Sequence, residues 1–176
     1  PGTVRDCREF IKKYNDVENF NVYGNERFIY QYISDKYPET ELKFDIEQIK
    51  LTTIDIEVKS EYGFPDVESC AEEILLITLQ DYTTKQIRTW GLGAFNNKQE
   101  NVIYKSFRTE YELLTDFINW WMIEDNTPEV ITGWNSKLYD IPYLCRRIDR
   151  ILGEKLKKRM SPWGLVTEEE TFIAGR

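Results

Sequence analysis

The chain contains no histidine among its 176 residues. This excludes Ser-His-Asp and Cys-His nucleophilic catalysis, and any histidine-ligated zinc site, within it. Acid–base or metal chemistry here must use carboxylates, tyrosine, lysine or water. Cysteine is scarce as well. Cys7, Cys70 and Cys145 are odd in number and far apart, with no C-x-x-C pair. They read as reduced thiols of a cytosolic protein rather than a disulfide framework. No apolar run approaches the ~18 residues that a membrane span needs. The first ten residues, "PGTVRDCREF", hold no apolar leader core, so nothing indicates secretion. Positive charge is in deficit: 23 Lys and Arg against 31 Asp and Glu leave a net charge of -8. Such a chain grips duplex DNA poorly by itself, because neutralising phosphates needs Lys and Arg. A nucleic-acid substrate would require bound cations or a basic surface outside this segment. Repeats and low-complexity tracts are absent too.

What is present is a globular composition, with 41% hydrophobic and 14% aromatic residues. Residues 1–50 read as a lead-in or the edge of another domain. There "RDCREFIKKYND" fits a short helix, with Cys7, Phe10, Ile11 and Tyr14 spaced by three and four. "RFIYQYISDKYP" alternates Phe28, Tyr30 and Tyr32 in strand fashion. From Leu51 the pattern sharpens. "LTTIDIEV", "EILLITLQDY", "QIRTWGL" and "NVIYKSF" are expected strands. "RTEYELLTDFINWWM" is a helix with capping-box spacing at Thr109 and Glu112 and an apolar stripe of Leu113, Leu114, Phe117, Ile118 and Trp121. "PEVITGW" is expected to hold a short buried strand, Val130 to Thr132, ending at Gly133. A second helix runs through "LYDIPYLCRRIDRIL", with Ile141, Leu144, Cys145, Ile148 and Leu152 on one side and Pro142 in its first turn. Strands followed by helix, strand and helix predict an α/β fold with a mixed sheet.

The chemistry starts in "LTTIDIEVKS". Side chains alternate along a strand, so Ile54, Ile56 and Val58 point into the core while Thr53, Asp55 and Glu57 point the other way. Two carboxylates so placed stand roughly 6–7 Å apart by strand rise. They repel each other unless a cation lies between them, and the spacing suits a hard divalent ion such as Mg²⁺ or Mn²⁺. A solvent-facing strand with two ordinary acids is the plainer alternative. In "TGWNSKLYDIPYL", Asp140 sits in the first turn of a helix after a strand. An acid there complements the helix dipole. It can equally complete a metal cluster with Asp55 and Glu57, of the kind that splits phosphodiesters. The Trp120–Trp121 pair reads as core, and the run Glu168, Glu169, Glu170 as solvated.

"TIDIEV", followed by "TGWNSKLYDIPYL" about 80 residues later, resembles the first and second exonuclease motifs of family B DNA polymerases. The second motif, Asn-x-x-x-(Phe/Tyr)-Asp, is matched by Asn135, Tyr139 and Asp140. The "GFP" loop at Gly63, Phe64 and Pro65 is most similar to polymerases of T-even-like bacteriophages. "GTVRDCREFIKKY" and "FIYQYISDKY" resemble the end of their N-terminal domain. The resemblance implies an RNase H-like mixed sheet flanked by helices, with residues 1–50 ending the N-terminal domain and 51–176 forming part of a 3′-5′ exonuclease domain. It implies proofreading within a replicative polymerase: removal of a mismatched 3′ nucleotide from single-stranded primer. Asp55 and Glu57 would ligate the metal that activates water, Asp55 bridging to a second metal that Asp140 supports. The complete site would hold two Mg²⁺ ions, with Mn²⁺ able to substitute. Phe64 would lie near the terminal base, with Asn135 and Tyr139 along the DNA strand. The implied partners are the 3′ end of a primer-template, the remaining polymerase domains and a sliding clamp, in the cytoplasm of an infected bacterial host, with no membrane.

The family's third motif, Tyr-x-x-x-Asp, stands roughly a hundred residues beyond the second, and no such pair lies between Asp140 and Arg176. The expectation is therefore a segment truncated before that motif, a piece of a larger polymerase with weak or no exonuclease activity alone. Two other readings stay open: a stand-alone RNase H-like 3′-5′ nuclease, and a non-catalytic interaction module that keeps the fold.

Overall fold

A computed structural model describes residues 3–22, 28–39, 41, 43–61 and 63–168. The chain divides into two units, 1–44 and 45–176.

The first unit holds two helices, α1 (Val4–Tyr14) and α2 (Phe28–Lys36). Thr3 and Asp6 form a capping box at the start of α1: each side chain bonds the other's backbone N–H. Phe10, Tyr14 and Phe20 cluster, with ring centroids 4.7 Å and 5.5 Å apart. The Arg8 guanidinium lies 5.7 Å from the Phe28 ring centroid. Neither helix buries a residue. The alternation of Phe28, Tyr30 and Tyr32 predicted a strand, and the structure corrects this to helix. Aromatic and β-branched residues favour strands only where a neighbouring strand takes their backbone groups. The described residues of this unit supply no such neighbour, and a helix satisfies those groups locally. An i,i+4 bond from Gln31 Nε2 to Asp35 Oδ1 supports it.

The second unit is an α/β layer. A 3-10 turn, Ile46–Gln48, leads into β1 (Leu51–Val58), β2 (Ile74–Asp81), β3 (Ile87–Leu92) and β4 (Val102–Phe107). Helix α3 (Glu110–Trp121), strand β5 (Val130–Thr132), helix α4 (Asp140–Leu152) and the short α5 (Glu154–Lys157) follow. The sheet order is β4-β3-β2-β1-β5. The β1–β2 and β2–β3 pairs are antiparallel, whereas β1–β5 and β3–β4 are parallel. The expected mixed, RNase H-like sheet flanked by helices is what forms.

Period-two patterning explains which sheet face is covered. Ile54, Ile56, Ile77, Leu79 and Trp90 are buried and join one core with the stripe of α3 (Leu113, Leu114, Phe117, Ile118, Trp121) and with Tyr143, Leu144 and Ile148 of α4. Each fully buried large apolar side chain contributes about 1.5–3 kcal/mol relative to exposure. Trp90 meets Phe117 edge-on at 5.2 Å, and its indole N–H donates to Asp116 at 2.9 Å. Trp121 is core, as expected, and Trp120 packs beside it. Thr109 and Glu112 form the capping box that their spacing predicted. Glu168 is exposed and pairs with Arg146 at 2.8 Å, while Glu169 and Glu170 lie outside the described residues. All three cysteines are free. Burial pushes the Cys145 thiol up to about 11, far from the thiolate form. No helix among the described residues is long and apolar enough to cross a membrane.

One further expectation is corrected. Val130, Ile131 and Thr132 are exposed, not buried. β5 is an edge strand with β1 as its neighbour, and apolar character alone did not disclose that.

Gly133, which follows β5, has a steric requirement. A Cβ there would stand 2.4 Å from the Ile54 carbonyl oxygen of β1. Gly133→Ala is therefore expected to push β5 off β1 and destabilise the fold by about 1–3 kcal/mol, as overpacking does. Urea unfolding of the two proteins measures this, and equal midpoints would contradict the close approach.

Candidate functional site

β1 outruns β5. Their pairing covers Leu51, Thr52 and Thr53, so beyond Thr53 that edge of β1 has no strand beside it among the described residues. The chain leaves β5 at Gly133 and turns through Trp134 and Asn135, the latter in the left-handed region at φ 57°. It then enters α4, whose first residue is Asp140. This brings the Asp140 carboxylate to the open edge of β1, where Oδ1 accepts the Ile56 N–H at 3.1 Å. A backbone donor that a strand would have satisfied is satisfied by a side chain.

The same stretch of β1 presents Asp55 and Glu57, both exposed, between the buried Ile54 and Ile56. Asp140 is itself buried, 4% exposed. That burial pushes its carboxyl above the ordinary value of 3.8, the Ile56 N–H and its own backbone N–H pull it back, and the negative charge of Asp55 pushes it up again. Burial also raises the Tyr139 hydroxyl, helped by the charge on Asp140.

Asp55, Glu57 and Asp140 line a cleft of about 520 Å³ together with Phe64, Asn135 and Tyr139. All six residues singled out in the sequence thus face one space. Phe64 is 82% exposed. Its loop turns at Gly63, φ 109°, where the Ser60 hydroxyl donates to the Gly63 carbonyl. Its ring stands 4.8 Å from Tyr139, whose ring is 5.6 Å from Tyr143.

The cleft also holds Trp134, which no sequence motif singled out. It is 94% exposed, the most exposed of the large apolar residues among the described residues. The available signal was a tryptophan between Gly133 and Asn135 that belongs to no apolar periodicity. Pro65 of the "GFP" loop lines the cleft as well, as does Ser60, which no motif singled out.

The donors facing the cleft are hard oxygens, which suits a divalent cation of the Mg²⁺ class. Among the described residues, no three carboxylates or thiols stand close enough to enclose a metal ion. Asp55 and Glu57 can serve as two carboxylate ligands in an open coordination shell completed by water and substrate oxygens, the mode usual for magnesium. Asp140 commits one oxygen to Ile56 and keeps the other.

Residues 10–172 match the family described as DNA polymerase family B, exonuclease domain. The DNA-directed DNA polymerase of Escherichia phage RB69 is 32% identical over 186 residues, covering 92% of this chain and 20% of that protein. The DNA-directed DNA polymerase of Enterobacteria phage T4 is 31% identical over 189 residues, covering 93% of this chain and 20% of that protein. The DNA polymerase catalytic subunit of Human herpesvirus 6A (strain Uganda-1102) is 35% identical over 104 residues, covering 56% of this chain and 10% of that protein. The chain spans about a fifth of the length of the two phage relatives. Such families use divalent metal, in keeping with the oxygen donors of the cleft. With both exonuclease-motif segments at one cleft, and the family match running through nearly the whole length, the chain belongs to the exonuclease domain of the family B DNA polymerases.

Proposed function

We propose that the cleft hydrolyses the 3′-terminal phosphodiester of single-stranded DNA, as the proofreading 3′-5′ exonuclease of a replicative DNA-directed DNA polymerase. One observation carries this reading: the Asp140–Ile56 bond, spanning 84 residues of chain, brings the Asp140 carboxylate to the stretch of β1 that bears Asp55 and Glu57, in a cleft rimmed by exposed aromatics. Residues 1–50 are read as the end of the polymerase N-terminal domain and 51–176 as part of the exonuclease domain. The proposed partners are a primer-template 3′ end, the remaining polymerase domains and a sliding clamp. The proposed setting is the cytoplasm of an infected bacterium.

In this reading Asp55, Glu57 and the free oxygen of Asp140 would hold two Mg²⁺ ions, with Mn²⁺ able to replace them. Bound divalent ions supply Lewis acidity and offset charge on the phosphate. The chain's own residues do the rest. Asp55 and Glu57 fix where the scissile phosphate can sit. Phe64 and Trp134 offer flat faces on which an unpaired base can stack whatever its sequence, each such contact being worth about 1–3 kcal/mol. A base held in a duplex cannot reach them, so the cleft selects frayed ends. Tyr139 backs the Phe64 ring, and Asn135 offers an amide beside the strand.

An open shell built on two exposed carboxylates binds metal weakly. The chain alone is expected to shorten a 5′-labelled single strand slowly, from its 3′ end, in Mn²⁺. Asp55→Ala and Glu57→Ala bring this to background and remove the rise in melting temperature that Mn²⁺ produces. Shortening from the 5′ end, or an Mn²⁺ response that survives Asp55→Ala, would overturn the reading.

Asp140 adds a pH signature. Its raised value means that the folded state holds the proton more tightly than the unfolded chain. The stability this gives is complete below the ordinary value of 3.8 and is lost as pH climbs through the raised one. Asp140→Asn keeps an acceptor for the Ile56 N–H and removes the charge. Without metal, the variant is expected to unfold at higher urea than the parent at about pH 7, with the gap closing near pH 3. It also loses part of its Mn²⁺ response. A variant less stable than the parent at about pH 7 would show that the charge, not the acceptor, is what the fold requires.

A further inference from the structure

Helix α4 is held by more than its apolar stripe. Arg147, 5% exposed, sends a fork into Glu110 at the first position of α3: Nε to Oε1 at 2.7 Å and Nη2 to Oε2 at 2.6 Å. Its Nη1 donates to the carbonyls of Cys70 and Ala71 at 2.8 Å and 3.1 Å. Glu110 in turn accepts the N–H of Ile74, the first residue of β2, at 2.8 Å. The five bonds tie α4 to the start of α3, the start of β2 and the loop that carries Phe64.

The pair stands in a definite relation to the cleft. Arg147 follows Asp140 by seven residues, two helical turns, so both lie on one face about 10 Å apart along the axis. Tyr143 lies between them on that face, its hydroxyl donating to the Glu72 carbonyl at 2.8 Å. An apolar stripe is a poor ruler. Leu144 and Ile148 would find similar company if α4 slid by a turn, whereas Asp140 would then miss Ile56 by the helix pitch, about 5 Å. A forked, buried ion pair tolerates no such slip, since a displaced arginine would leave two charges unpaired in the core.

We propose that Arg147 and Glu110 are positioning residues: their pairing sets the axial register of α4, so that Asp140 meets the Ile56 N–H and faces the cleft beside Asp55 and Glu57. The pair is a ruler rather than a net source of stability, because desolvating both charges offsets their attraction. The inference rests on the cleft being the hydrolytic site.

The test replaces both charges at once, with Glu110→Gln and Arg147→Met in the 176-residue chain. The Gln side chain still accepts from Ile74, and Met fills the space. Amide exchange of Ile56, followed by NMR without metal, reads the register directly. The double variant is expected to fold with a melting temperature close to the parent's. Its Ile56 amide should exchange about tenfold faster or more, the factor a hydrogen bond to a carboxylate represents. Its β2-paired amides in β1 should be unchanged. Mn²⁺ affinity, from the free-ion EPR signal, should fall about 10- to 100-fold, as for other residues that orient ligands. Arg147→Lys, which keeps the charge but not the fork, should show the same two changes in smaller measure.

An Ile56 amide as protected in the double variant as in the parent would overturn the proposal. So would loss of the fold in the double variant, which would make the pair a stabilising element. If the parent binds no Mn²⁺ while Ile56 exchange still responds, the ruler stands and the hydrolytic reading falls. If Mn²⁺ binds the parent and Ile56 does not respond, the reverse holds.

Discussion

The Asp140 carboxylate accepting the Ile56 N–H is the contact on which the cleft turns. It exists because β5 stops pairing at Thr53 while β1 continues to Val58, leaving a backbone donor with no strand to meet it. A side chain from the next helix fills that gap. One oxygen of Asp140 therefore does the work of a missing strand, and the other is left where the two acids of β1 face outward. In the proposed function, fold and chemistry share a single carboxylate. Its raised proton affinity follows from that sharing: it is buried deeply enough to serve the sheet and close enough to Asp55 to feel its charge.

The surroundings of this contact explain why the chain tolerates three acids in one place. Asp55 and Glu57 are exposed, so solvent screens them while no cation is bound. Asp140 alone carries a burial penalty, and it retains two backbone N–H partners. The net charge of -8 works against a polyanionic substrate reaching the cleft. In the proposed reading the exposed rings of Phe64 and Trp134 would stack on a base regardless of charge, which suits an end that the field disfavours.

Much of this was legible in the sequence where a single local rule governs. Strand β1 showed itself by alternation, and the same alternation placed Asp55 and Glu57 opposite Ile54 and Ile56. Helix α3 was marked by its Thr109–Glu112 box and five apolar residues at helical spacing, all of which are core. The Asn135–Tyr139–Asp140 spacing carried the resemblance to the second exonuclease motif. The failures have physical causes too. Phe28 to Lys36 carries strand-forming residues, but the state of such a segment depends on whether a neighbour offers backbone partners. Val130 to Thr132 is apolar, and apolar character cannot tell a central strand from an edge. Arg147 and Glu110 carry no local signal, since their partnership spans 37 residues and exists only in three dimensions. Trp134 belongs to no repeating pattern, and its exposure is visible only once β5 and α4 are in place.

The parallel pairing of β1 with β5 sets an order of assembly. Leu51 must find Val130 across the whole intervening chain, whereas β1 and β2 are joined by residues 59–73. Closing a span that long carries a large entropy penalty, which is met only when α3 and the antiparallel strands have already drawn the ends together. The β1–β2–β3 meander can collapse early, with Asp55 and Glu57 still apart from Asp140 and in open solvent. Repulsion between Asp140 and Asp55 therefore arises only at the last docking step, where it acts on the rate of unfolding more than on the rate of folding.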